Sequence, residues 1–255
     1  MRRREKFVLA AIVLSLGLLS VQYISLDWRY VGVIIFTVLS YFVTAWALSD
    51  DLQRIEWLTI LPLPALYAGA VGAFYFLLPA SILSRVFNLV LFGFGMYALF
   101  LTSNIYSVAK GRTIQLLHAA HAIGLLFTLL TSLLFLNTIY SSHLPFYFNG
   151  LLVGLLHLPL VFLFLWSVNL EQRIDPQLVH ISILFTVFLI ELAMVLSFFP
   201  LSVWNVSLLI MTFLYIGLGV LQSHFQNRLF QNTLNEYSMV ALFLCVVFAL
   251  LLPWK

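Results

Sequence analysis

Nine apolar stretches, each long enough to cross a bilayer, follow one another at about 7–25, 30–48, 58–79, 86–106, 114–137, 148–168, 177–199, 203–221 and 237–254. A segment surrounded by hydrocarbon must satisfy every backbone N–H and C=O internally. Runs of this length are therefore read as helices, and none shows the alternation of a barrel strand. The sequence predicts an all-α polytopic membrane protein with about nine transmembrane helices. Composition excludes a soluble alternative: 63% of the 255 residues are hydrophobic, 8% are charged and the mean hydropathy is +1.09. A soluble domain carries about 25% charged residues, and so few charges cannot coat a water-exposed body.

The net charge of +3 is explained by topology, and no nucleic-acid partner is expected. With a cytoplasmic N-terminus, that side collects Arg2, Arg3, Arg4, Lys6, Arg54, Lys110, Arg112, Arg173 and Arg228, leaving Arg29, Arg85 and Lys255 opposite. This bias sets the expected orientation in the plasma (inner) membrane, with the C-terminus external. The opening MRRREK and its apolar sequel have the layout of a secretory signal without a cleavage site, so they are read as a retained first helix. Trp28, Trp57, Trp204 and Trp254 fall at run ends, where amphipathic rings favour the headgroup zone. The polar stretch 222–236 is either a surface helix carrying Leu221, Phe225 and Leu229 on one face or an extension of the eighth span. The single cysteine, Cys245, excludes an intrachain disulfide.

The chain matches itself at a shift near 120 residues. Gln53-Arg54-Ile55-Glu56 recurs as Gln172-Arg173-Ile174-Asp175, and Trp46 as Trp166. Pro79 with Ser81 recurs as Pro200 with Ser202, Asn88 as Asn205, Tyr97 as Tyr215 and Arg112 as Arg228. The expected organisation is an N-terminal helix (1–29) followed by two four-helix repeats, 30–137 and 138–255. An even number of crossings makes such repeats parallel, with a cavity expected at their interface.

Polar groups inside the spans are the functional candidates. Glu191 lies about fourteen residues into the seventh run, where a lone carboxylate is costly and is expected to face the bundle interior. His180 precedes it by eleven residues, on the same helix face but roughly 16 Å away. The fifth run carries Gln115, His118, His121, Thr128 and Ser132 within about 140° of arc. His118 and His121 supply at most two ligands, so no metal or cofactor is assigned. His157 follows Gly150 and Gly154 on the sixth run, a small-residue pattern that lets another backbone approach. Ala65, Gly69 and Ala73 repeat that pattern beside Pro62 and Pro64, which loosen or break the helix start. Asn88, Gly95 and Thr102, and in the second repeat Asn205, Thr212 and Gly219, stand at heptad spacing and are expected to line the interface. Asp50, Asp51 and Glu56 are read as loop charges countering Arg54, with Glu171 and Asp175 doing so for Arg173.

There is no phosphate loop, G-x-S-x-G, H-E-x-x-H or C-x-x-C, so ATPase and common hydrolase chemistry have no visible machinery. No mid-span lysine is available for a retinal Schiff base, and no helix carries the spaced arginines of a voltage sensor. Residues 57–79, WLTILPLPALYAGAVGAFYFLLP, resemble uncharacterised multi-span proteins of reduced-genome bacteria. That resemblance implies a bacterial plasma membrane and no particular activity. Two main readings remain: a transporter- or channel-like protein with a cavity between repeats, or a structural or anchor subunit. Besides the lipid bilayer, the second implies other membrane subunits or a homo-oligomer as partners. A third, an enzyme acting on a lipid-linked substrate, would need Glu191 or His121 as base and lacks a second catalytic group.

Overall fold

The computed structural model describes residues 3–49, 52–79, 81–109, 116–171 and 173–251, apart from the side chains of Leu26, Thr233, Cys245 and Leu251. Among them there is no strand. The helices are α1 (Arg3–Val21), α2 (Arg29–Leu48), α3 (Glu56–Thr59), α4 (Pro62–Tyr75), α5 (Ile82–Val108), α6 (Leu116–Ser141), α7 (Phe146–Asn169), α8 (Pro176–Leu196), α9 (Val203–Phe225) and α10 (Gln231–Leu251). A 3-10 turn, Leu26–Trp28, precedes α2. Seven are long and apolar enough to cross a membrane, counting α3 and α4 as one interrupted segment, Glu56–Tyr75. The charged start of α1 and the shorter apolar part of α10, Leu234–Leu250, set those two apart from the seven.

The chain divides into two compact units, residues 1–134 and 135–255, with α6 running through the boundary. In the first unit α1 buries the stripe Phe7, Ala10, Ala11, Leu14 and Leu18, at the helical repeat that keeps one face inward. Phe7 meets Phe100 of α5 with ring centroids 6.1 Å apart. Tyr67 of α4 stacks on Phe92 of α5 at 5.8 Å and meets Phe127 of α6 edge-on at 5.1 Å. Lipid chains are as apolar as leucine, so contact density and shape decide which helices associate. The extensive α2–α4 contact shows this. A Cβ added at Gly69 would lie 2.5 Å from Thr37 Oγ1, so glycine is what lets α2 come this close.

In the second unit the most extensive contact joins α7 and α8. A Cβ at Gly150 would stand 2.6 Å from Met194 Cε, and one at Gly154 would stand 2.5 Å from Ile190 Cδ1. The Gly150–Gly154 pattern is therefore filled by two α8 side chains. Leu170 ends α7 in the left-handed region, φ 52°, and returns its N–H to Trp166 O at 3.1 Å. The polar stretch 222–236 forms no separate surface helix. Its ends extend α9 and α10, leaving only 226–230 between them, where Asn227 turns the chain at φ 54°.

Candidate functional site

The first unit gathers a polar cluster at one end of α5. Glu56, read from sequence as a loop charge, is fully buried and opens α3. Its Oε2 accepts from the Gln53 backbone N–H at 2.9 Å and from Ser107 Oγ at 3.0 Å. The first bond reaches back, the carboxylate at the first position of α3 accepting the backbone N–H three residues before it. On the neighbouring residue of α5, Tyr106 donates its hydroxyl to Ala120 O at 2.9 Å, and its ring lies 5.8 Å from that of His121. Consecutive residues of α5 thus bind the start of α3 on one side and α6 on the other. His121 is 6% exposed, and α6 continues its inward face with buried Thr128, Thr131 and Ser132.

The helix that carries Glu56 is broken. Pro62 and Pro64 have no N–H, so the carbonyls of Leu58 and Ile60 lose their usual donors four residues on. The chain turns at 60–61 before α4 begins, and the Trp57 carbonyl accepts instead from Tyr41 Oη at 2.8 Å. The same short segment thus carries a buried carboxylate at its start, Glu56, and backbone oxygens without their helix donors a few residues on. That is the kind of irregular backbone that membrane proteins keep for cation and substrate sites.

The other candidates do not gather with it. Glu191 lies on the exposed face of α8 beside Leu184, Val187, Phe188 and Val195, instead of facing the unit's interior. It stands five residues from Leu196, about 8 Å from the helix end, so it is also not central. The interior face of α8 is taken by Leu178, Ser182, Thr186, Leu189 and Ala193. Ser182 and Thr186 return their hydroxyls to Leu178 O and Ser182 O. His180 shares the exposed face and donates Nδ1–H to Pro176 O at 2.7 Å, since that carbonyl can only accept. His118 is exposed while His121 is buried, so the pair does not share one side of α6. Gln115 lies outside the described residues. His157 is fully buried in α7, where Nδ1–H donates to Val153 O at 2.9 Å.

The heptad sets are used mainly for packing within their own units. Thr102 is buried and bonds Ala98 O at 2.9 Å, and Thr212 bonds Leu208 O at 2.7 Å. Tyr67 occupies the space over Gly95, and Tyr237 the space over Gly219. Asn205 is half-buried and its backbone N–H is capped by Ser202 Oγ at 3.2 Å, while Asn88 is half-buried with no partner for Nδ2. The second unit also holds a polar cavity of about 260 Å³ walled by Tyr140, His143, Asn149 and Ser197. Tyr140 Oη and Ser197 Oγ both donate to Ala193 O at 2.8 Å, and Asn149 Nδ2 reaches Ser197 Oγ at 3.1 Å. Among the described residues no three His, Cys, Asp or Glu side chains come together as a metal site.

Fold and site together define a polytopic, all-helical membrane protein with a buried carboxylate at a broken helix. The chain belongs to a family of proteins of unknown function, DUF5656, whose model matches residues 41–251. No curated protein and no solved structure matches it.

Proposed function

We propose that the protein is a transporter-like protein of the plasma membrane, with its N-terminus cytoplasmic, in which Glu56 is the carboxylate that takes up a proton or small cation. The observation that carries this is the fully buried Glu56 side chain at the α3–α4 break, bonded by Gln53 N–H and Ser107 Oγ. An ionisable group inside a membrane protein is expensive to retain, which makes it the first place to look for function. The carbonyls of Leu58 and Ile60, a few residues further along the same segment, are hard oxygen donors of the kind that replace a cation's hydration shell. The two-repeat organisation supports the same reading. Ser81 and Ser202, equivalent in the sequence alignment, both accept from the backbone N–H three residues on, at 3.1 and 3.2 Å, and so start α5 and α9 alike.

The test is flux in proteoliposomes loaded with a pH-sensitive dye, under imposed proton, sodium and potassium gradients. The full chain should conduct one of these, Glu56→Gln should abolish the flux and Glu191→Gln should leave it intact. A wild-type chain that conducts none, or a Glu56→Gln chain that conducts normally, would overturn the reading.

A second reading, a membrane subunit that packs against another copy of itself, is favoured by Glu191 on the exposed apolar face of α8. A carboxylate facing acyl chains is costly unless another helix covers it. Cysteines placed at Leu184, Val187 or Val195 in a Cys245→Ser chain should then cross-link in native membranes, whereas cysteines at the buried Leu189 should not.

A further inference from the structure

The first unit also contains a feature that the proposed function does not use. Helices α1 and α5 touch through Phe7 and Phe100 and approach again at Ser15 and Gly93. On their outer side they leave an apolar groove of about 570 Å³, lined chiefly by Val8, Ile12 and Leu16 of α1 and Val90, Phe94 and Tyr97 of α5. That volume falls within the range of about 300–1,000 Å³ usual for small-ligand sites. Both walls are long helices, so the groove runs along their length.

One end of this groove leads to an unusual set of polar groups. Leu89 lines the groove and Arg85 lies one turn beyond it on the same face of α5. At the end of α1, Tyr23 places its ring 5.4 Å from Arg85 Cζ. The neighbouring Gln22 is 6% exposed, and neither its amide nitrogen nor its amide oxygen has a hydrogen-bond partner. Arg85 Nε and Asn88 Nδ2 are also buried without acceptors. Among the described residues Arg85 is engaged by no carboxylate, and its guanidinium lies over the Tyr23 ring.

Buried donors without acceptors are costly, more so when one belongs to a fixed cation. Here a guanidinium and an amide three residues apart on α5 meet the end of α1 through Tyr23, next to the unpartnered amide of Gln22, at one end of an apolar channel. The complementary ligand carries a negative charge, several acceptor oxygens and a long apolar tail. We propose that this groove binds one phospholipid, its phosphate held by Arg85, Asn88 and Gln22 and one acyl chain lying between α1 and α5. Arg85 supplies the charge-assisted bonds that suit a phosphate, and Gln22 Oε1 is left to accept from a headgroup hydroxyl. A bare anion would leave the groove unused, and an uncharged lipid would leave the donors unpaired.

The experiment measures saturable thermal stabilisation of the full chain in maltoside detergent. Its three additives are dioctanoyl phosphatidylglycerol, inorganic phosphate and dioctanoylglycerol. The phosphatidylglycerol alone should stabilise the wild-type chain. Arg85→Gln should raise its apparent dissociation constant about tenfold, the loss of one charged hydrogen bond. Gly93→Leu should weaken binding as well, because a Cβ there meets only Ser15 Oγ within 4 Å and a longer side chain grows into the groove. Arg29→Gln, which removes another basic residue of the same unit, should bind as wild type. Since Arg85→Gln and Gly93→Leu touch different parts of the site, failure of one to fold leaves the other as the test. Equal binding by wild type and the variants would overturn the proposal. So would a matching response to phosphate alone, which would make the site an anion site, or to dioctanoylglycerol, which would leave the charge without a role.

Discussion

Ser107 donates its hydroxyl to Glu56 Oε2 at 3.0 Å, joining the end of α5 to the start of α3 across 51 positions of sequence. The bond gives a buried carboxylate oxygen an acceptor's partner and pins a broken helix to an intact one. Ser107→Ala removes one donor while Oε2 keeps the Gln53 N–H, so the cost is that of one lost hydrogen bond to a carboxylate, about 1.5–3 kcal/mol. Thr212→Val removes a hydroxyl bonded only to its own helix and should stay within about 0.5 kcal/mol of wild type. Unfolding of the two variants in mixed micelles checks the contrast.

Glu56→Leu and Glu191→Leu should part company in the same assay. The first removes the acceptor of two hydrogen bonds, from the Gln53 N–H and the half-buried Ser107 hydroxyl, and each lost bond costs about 0.5–1.5 kcal/mol. The second puts an apolar side chain on a face already made of Leu184, Val187, Phe188 and Val195. Glu191→Leu should therefore fold as well as wild type or better, with retention of helical circular dichroism on heating as the measurement.

These two carboxylates also show where the sequence was informative. Hydrocarbon leaves the backbone no alternative to helix, so the apolar runs located the helices, and Pro62 with Pro64 marked the one that breaks. Which face of a helix turns inward is a different matter. Helix α8 is apolar on every side, so periodicity could not say where Glu191 points; the fit of Ile190 and Met194 against Gly150 and Gly154 decides it. Glu56 was hidden for the opposite reason. It adjoins the edge of its apolar run and reads as a solvated charge, and nothing in the local pattern announces that it reaches back to the Gln53 N–H. Asp175 is its counterpart where the sequence matches itself. One methylene shorter, it caps forward to Gln177 N–H at 3.0 Å instead of reaching back.

The serines at the starts of α5 and α9 permit a test of their capping bonds. Ser81→Ala and Ser202→Ala each remove a side-chain acceptor from the first turn of a long helix. Each should cost about 0.5–2 kcal/mol, the usual value of an N-cap. Two independent caps should also add within about 0.5 kcal/mol in the double variant. Equilibrium unfolding of the two single variants and the double variant checks this.

Left-handed backbone occurs at three non-glycine positions of the second unit, His143, Leu170 and Asn227, and the first two are of opposite character. His143, at φ 48°, is exposed, whereas Leu170, at φ 52°, is 6% exposed. A side chain in this region costs about 1–2 kcal/mol, so His143→Gly should stabilise the chain. Leu170→Gly gains the same relief but loses a buried leucine, about 2–5 kcal/mol on the scale of Leu→Ala substitutions. It should destabilise, and the opposite signs of the two melting shifts are the readout.

The α7–α8 contact permits the sharpest test, because a defect there can be repaired from the other helix. Gly154→Ala places a methyl group 2.5 Å from Ile190 Cδ1 and 2.9 Å from Ile190 Cγ1. Both atoms belong to one side chain, so the helices must separate or Ile190 must leave its rotamer, and overpacking of this kind costs about 1–3 kcal/mol. Ile190→Ala alone leaves a hole over Gly154 and should cost about 2–5 kcal/mol. In the double variant the new methyl occupies part of the space that Ile190 gave up. The two effects should therefore fall short of additivity by more than the roughly 0.5 kcal/mol expected of independent sites. Additive losses would mean that α7 and α8 do not meet at this pair, and the close approach assigned to Gly154 would have to be withdrawn.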